Sequence, residues 1–409
     1  MRPSPAADSC LIYNYYSNVS NPTSCAAPTQ GSGNNGSAMG YLDQDSSNLA
    51  LGYTASLAYD PTMRLTGAVA TPLQQGGAAE NLTFSYDRWG NMTCVQNQQT
   101  NGPCPQFSFS ASANQIATSG YVYDASGNLT ADGMHTYQWD AEGRLISVDN
   151  GSTASYVYNA QGQRVEKNVG GTYTEYFFDE GGDPIGENNR SAWTDVSFPF
   201  EGRHLAHYQN GGADFIHVNN IGTTEQVTDY TGAVVQDELH YPWGQVWLGQ
   251  AFIEERFAGM QHRDSETGFD PTYYRMYAST QGRWLSPDPV MGCPMHPENF
   301  DRYVYVANNP VNLTDPRGEG PLTCSEAQQL CYPGLVACLF YVREALYYCS
   351  VQGCTESWIE CNQLAQISGI STLPCYESYA LCLAGCAAVY FAEGYACELG
   401  YDLCWGSLC

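Results

Sequence analysis

The chain has 409 residues and a formal net charge of −27, from 42 acidic and 15 basic side chains, with Lys167 its only lysine. So acidic a surface repels polyanions, which excludes nucleic acid and anionic membranes as partners. Length allows two or three domains. A hydrophobic fraction of 43% supports a core, and 31 tyrosines with 41 glycines point away from disorder and toward short strands joined by tight turns. No apolar run reaches the roughly 18 residues a helix needs to span a bilayer, so no transmembrane segment is expected.

Residues 1–50 are rich in Asn, Ser, Gly and Pro and read as a loop-rich lead-in stapled by Cys10 and Cys25. The opening MRPSPAADSC lacks the apolar stretch of a signal peptide. From about Leu57 a repeat begins: an aromatic alternation, then Asp or Asn, two or three residues, Gly or its equivalent, and a branched apolar residue. Its six copies place Asp60, Asp87, Asp124, Asp140, Asn159 and Asp179 at the turn. The closest copies lie 16 to 20 residues apart, which fits one hairpin per repeat. Tyr121 with Tyr123, and Tyr137 with Trp139, put rings on one face of a strand. Asp124 bonds the turn backbone, and Gly127 supplies a positive φ. The spacing itself fits a plain meander or a propeller as well as a wound shell. The sequons at Asn81, Asn91 and Asn128 follow from the turn chemistry and carry no functional weight. His204, His207 and His217 lie along strand-like sequence with no carboxylate cluster nearby and read as ordinary polar positions, so no metal and no cofactor are expected.

Residues 257–318 hold a series of short motifs: Glu266 to Gly268, Tyr273-Tyr274-Arg275, Gly282-Arg283-Trp284, Ser286-Pro287-Asp288-Pro289, Asn308-Asn309-Pro310 and Asp315-Pro316-Arg317-Gly318. In this order they resemble the core segment of the Rhs (rearrangement hot spot) and YD-repeat family, and the resemblance extends back to about residue 50. It implies a mainly β fold: an antiparallel YD-repeat β-shell over 51–256, closed by the core segment at 257–318. Six hairpins are fewer than a family shell normally uses, so an open arc or spiral is expected, within one continuous sheet and with no helix longer than two turns.

The resemblance also implies an aspartic protease that cuts its own chain. Carried over, Asp288 and Asp315 are the candidate pair, Asp301 and Arg302 are placed to tune it, and the cut falls between Glu319 and Gly320. Two carboxyls in one site divide the work of base and acid. The family usually has Leu where this chain has Glu319, and restoring Leu is expected to speed cleavage. The competing reading takes both Asp-Pro steps as structural turns.

The tail, 319–409, changes to a helical pattern and reads as a disulfide-rich all-α domain. It holds 12 of the 17 cysteines, with no histidine and no CxxC pair. Cys324, Cys331, Cys338 and Cys349 fall on one helical stripe. Cys354 and Cys361 complete a first hairpin; Cys375, Cys382, Cys386, Cys397, Cys404 and Cys409 form a related second one. Disulfides among them, as between Cys10 and Cys25 and at Cys94 and Cys104, imply an oxidising compartment. With no signal peptide visible, this is reconciled if the chain is the C-terminal piece of a longer exported protein, extracellular or in the cell envelope. The tail then reads as a variable effector or toxin, with an immunity protein or a target-cell component as partner. The alternatives are a structural or adhesive surface protein that contacts carbohydrate, or a degenerate gene fragment.

Overall fold

Every Asp–x–x–Gly of the repeat is a turn, and every aromatic run beside it a strand. In the turn at Asp60 the carboxylate Oδ1 accepts the backbone N–H of Thr62 at 2.9 Å and of Arg64 at 3.0 Å. The same oxygen position bonds residues two and four further on at Asp87, Asp140 and Asn159. The main chain closes the loop, as where Gly127 N–H donates to Asp124 and Asp124 N–H to Asn128. The fourth residue must take positive φ, hence glycine, with φ +96° at Gly127. Met63 takes that place in the first copy, at φ +66°.

The computed structural model of the chain describes residues 10–26, 30–44, 52–73, 79–95, 102–200, 203–209, 211–250, 256–289 and 301–319. The tail cysteines, Cys324 to Cys409, and Gly320 lie outside the described residues, as does the all-α expectation for the tail.

The strands pair antiparallel with their chain neighbours. A first sheet of six holds β1 (Cys10–Asn14), β2 (Gly40–Gln44), β3 (Tyr53–Tyr59), β4 (Leu65–Pro72), β5 (Glu80–Tyr86) and β6 (Met92–Cys94). Two of its strands, β1 and β2, lie inside the stretch read as a loop-rich lead-in. A hairpin follows, β7 (Tyr121–Tyr123) and β8 (Leu129–Asp132). Then comes a meander of twelve strands: β9 (Tyr137–Trp139), β10 (Leu145–Val148), β11 (Ala154–Tyr158), β12 (Arg164–Val169), β13 (Thr172–Phe178), β14 (Pro184–Asn188), β15 (Trp193–Phe200), β16 (Arg203–Gln209), β17 (Gly212–Val218), β18 (Thr224–Asp229), β19 (Val234–His240) and β20 (Val246–Gln250). The core segment adds β21 (Phe269–Pro271), β22 (Met276–Ala278) and β23 (Arg283–Trp284). The expected single continuous sheet is therefore four sheets. Residues 102–120, which hold none of these strands, separate the first sheet from the rest, and Cys104 among them pairs with Cys94 of β6. Cys10 pairs with Cys25. Among the described residues the only helices are single 3-10 turns at Asp149–Gly151 and Val306–Asn308.

The core segment lies at the centre of the packing. Phe269, Met276 and Leu285 pack against Leu129, Tyr137 and Leu145 of the repeat hairpins. Val311 joins the first sheet's core with Leu65 and Phe84, alongside Trp243. Its own rings, Phe257, Tyr277, Trp284 and Tyr305, are nearly fully buried and stack at 4.6 to 5.8 Å between centroids. Strands alternate as a half-buried sheet requires. In β3 the even-numbered partners of buried Tyr53, Ala55 and Leu57 face outward.

Candidate functional site

One buried arginine gathers the two ends of the core segment. Arg275 precedes β22, and its guanidinium carbon lies 4.1 Å from the Trp284 ring centroid. With 2% of its side chain exposed, such a charge needs anionic partners. Arg275 Nη2 is 3.2 Å from the Asp288 carboxylate and 3.0 Å from that of Asp315. Its Nε donates to the Gly318 carbonyl at 2.7 Å, and Nη1 to the Arg302 carbonyl at 3.4 Å. Burial pushes the Arg275 pKa below its usual value, and Asp288 and Asp315 oppose that shift.

Asp315 also holds the chain ahead of the expected cut. Its Oδ1 accepts the N–H of Gly318 at 2.9 Å and of Glu319 at 3.1 Å. This is the turn chemistry of the repeats used once more, here to present Gly318 and Glu319. Gly318 takes φ +71°, and a Cβ there would meet Thr272 Oγ1 at 2.1 Å, so only glycine fits. Asp288 is held by its backbone: its N–H donates to the Arg302 carbonyl at 2.7 Å, and Arg302 Nε donates back to the Asp288 carbonyl at 2.7 Å.

Two predicted residues thus meet on Arg275, and a third supports one of them. Arg302 fixes the main chain of Asp288 and not its carboxylate. Asp301 belongs to a neighbouring cluster. It lies 3.3 Å from Arg283, which also bonds Asn91 Oδ1 at 2.8 Å in the repeat turn at Asp87. Burial pushes the Asp301 carboxyl above its usual value, and its Oδ2 has no hydrogen-bond partner. Arg275 carried no assigned chemistry in the sequence, although the Tyr-Tyr-Arg motif marked it. A cation set between aromatic residues in a buried run was the available signal.

A cavity of about 230 Å³ borders the site where Thr314 and Pro316 flank Asp315. Ile216, Ile221, Thr224 and Arg256 line its other walls. Of the histidines, His207 sits buried between Asp195 at 3.2 Å and Asp214 at 3.6 Å. His217 bonds the Thr228 hydroxyl at 2.9 Å. No helix among the described residues is long and apolar enough to cross a membrane.

Comparison with known proteins identifies the fold and the family. The chain is 30% identical over 254 residues to the tRNA3(Ser)-specific nuclease WapA of Bacillus spizizenii, a match spanning 58% of this chain and 11% of that protein. It is 35% identical over 99 residues to toxin subunit YenC2 of Yersinia entomophaga, 23% of this chain and 10% of the relative. Among solved structures, the Tc holotoxin pore of Photorhabdus luminescens superposes with a TM-score of 0.55 at 20% identity, over 70% of this chain and 16% of that one. That likeness shows the fold. The chain therefore spans a small part of the length of the relatives it matches. The model of the teneurin YD-shell matches residues 48–311, more than half of the sequence, and the chain belongs to this family of Rhs and YD-repeat shell proteins.

Proposed function

We propose that the chain is the C-terminal part of an exported Rhs/YD-repeat protein, whose β-shell carries a variable effector or toxin-like tail and releases it by cutting between Glu319 and Gly320. The observation that carries this reading is the meeting of Asp288, Asp315 and the Gly318 carbonyl on Arg275. Asp315 presents the chain through its bonds to Gly318 and Glu319. Asp288 takes a proton from a water as the water oxygen bonds to the Glu319 carbonyl carbon. That proton then goes to the Gly320 nitrogen as the C–N bond breaks, leaving on Glu319 a carboxylic acid that keeps the water's second proton and on Gly320 an amine; transfer of that second proton gives the carboxylate and the ammonium. Arg275 holds the two aspartates together and offsets their charge. The compartment is extracellular or the cell envelope, and the partner of the tail is an immunity protein or a target-cell component.

Intact mass of the purified full chain tests this. The wild type should yield a fragment beginning at Gly320, while Asp288→Asn and Asp315→Asn should stay whole. A wild type that remains full-length at acidic and neutral pH ends the reading.

A second reading, a structural or adhesive surface protein, draws on the outward face of the long sheet. Phe198, Ala206 and Phe215 lie opposite one another on β15, β16 and β17, and Trp193, Phe198, Tyr208 and Phe215 are each about half exposed. Contiguous exposed rings suit a contact surface. An uncut wild type that adheres to immobilised surface carbohydrate, and loses this with Phe198→Ser and Phe215→Ser, would support it.

A further inference from the structure

Glu319 stands where the resembling family carries an apolar residue, and it is held by charge. Its Oε1 lies 3.6 Å from Arg317 Nε. Arg317 is fixed from two sides. Its guanidinium carbon lies 5.2 Å from the Tyr273 ring centroid, and its carbonyl accepts the Tyr274 N–H at 3.0 Å. The Tyr273 hydroxyl is tied in turn to the Gln161 carbonyl of a repeat turn. The Tyr274 side chain feels both charges, Glu319 acting to raise its pKa and Arg317 to lower it. Burial raises the Tyr274 pKa, and the Glu319 charge adds to the rise, as expected for a phenol beside an anion.

We infer that Arg317 and Tyr274 form a subsite that selects an acidic side chain at position 319, directly before the bond to be cut. The inference rests on the self-cleavage proposed above and names its specificity. Three carboxylates served by the Arg275 guanidinium alone would leave two uncompensated charges around one reacting bond. Arg317 takes up the third by holding Glu319, which leaves Asp288 and Asp315 to Arg275. An apolar residue at 319 would leave Arg317 unpaired and the strand without its side-chain anchor. On this reading Glu319→Leu slows cleavage, where the sequence alone leads to an expectation of faster cutting.

The test is a charge-swap cycle on the full chain, with cleavage rate followed by intact mass. Arg317→Ala, Arg317→Glu and Glu319→Arg are each expected to cut about five-fold more slowly, the size of effect an exposed ion pair can supply. The double variant Arg317→Glu/Glu319→Arg should return to within about two-fold of the wild type, because the pair is restored with its sign reversed. A purely structural role for either residue would not produce that rescue. Arg317 and Glu319 are about half exposed, and thermal melting checks that each variant keeps the wild-type fold. A wild-type rate in Arg317→Ala, or losses that simply add in the double variant, overturns the subsite while cleavage stands. A wild type that is never cut overturns both.

Discussion

The repeat turns and the core segment solve the same problem, an irregular chain with buried polar groups, in opposite ways. In the turns each carboxylate bonds amides two and four residues away, so each hairpin is closed by its own side chain. In the core segment the charges reach far along the chain. Arg275 joins Asp315 across 40 residues, Arg164 joins Asp264 across 100, and Arg283 reaches Asn91 across 192. The turns are exposed and modular; the core ion pairs are buried and shared. The contrast teaches where the shell tolerates change. A repeat can lose its aspartate and remain a hairpin, whereas a core arginine stranded without its partner is a bare charge in the interior.

The sharpest way to break that comparison is Asp270→Ala. Asp270 is fully buried and bidentate to Arg263, at 2.8 Å to Nε and 2.9 Å to Nη2. Removing one member of such a pair costs about 3–5 kcal/mol, because the buried arginine loses both bonds to its carboxylate. Urea denaturation should show that loss, and a loss below about 1 kcal/mol would make the core pairs no different from surface ones.

Next in size is a pH effect at His240, on β19. Neither ring nitrogen has a hydrogen-bond partner, and the Glu238 carboxylate lies 3.9 Å away. Burial, aided by the Arg263 charge, pushes the His240 pKa down to about 3 from an ordinary 6.5. Between those values the unfolded chain binds a proton that the folded one refuses. Stability from this group is therefore whole above about 6.5 and falls as pH drops toward about 3. The loss is on the order of a few kcal/mol. His240→Phe should flatten that limb in denaturation curves taken across this range. An unchanged slope would mean the acid loss arises elsewhere.

Much of the shell was legible because its information is local. Asp60, Asp87, Asp124, Asp140, Asn159 and Asp179 mark turns in the sequence, and all six are turns in the structure. Three further turns share the same main-chain bonds, at Asn219, Asp229 and Tyr241. No aromatic alternation precedes Asp229, so the repeat pattern does not mark its turn. Tyr241 has no side-chain acceptor to offer the turn amides, so the turn depends on Gly244 at φ +88°. Strands β1 and β2 were hidden because their pairing spans a long connection whose many Asn, Ser, Gly and Pro residues mark no single hairpin turn. The candidate site was legible as a set of motifs but not as a place. Spacing along the chain cannot tell that Asp288 and Asp315 share Arg275 while Asp301 turns to Arg283, since that depends on how β21 to β23 fold back on the repeats.

The smallest effect tests whether the repeat turn needs a charge or only an acceptor. At Asp124, Oδ1 accepts the Asn128 N–H at 2.8 Å and Oδ2 accepts the Asn128 side-chain amide at 2.9 Å. At Asn159 the amide oxygen does the first job, bonding Gln161 and Gln163 N–H, both at 3.0 Å. The second job is reversed there, with Asn159 Nδ2 donating to Gln163 Oε1 at 2.6 Å. The fold thus already contains an uncharged version of the turn. Asn128 can make the matching change by rotating its own amide, at the cost of its present contact with Asp124. Asp124→Asn should therefore change stability by no more than about 0.5 kcal/mol. Asp124→Ala removes the acceptor and should cost about 1 kcal/mol. Denaturation midpoints of the two variants decide it. If Asp124→Asn proves as costly as Asp124→Ala, charge is what the turn requires, and the neutral turns at Asn159 and Asn219 must draw their stability from the strands beside them.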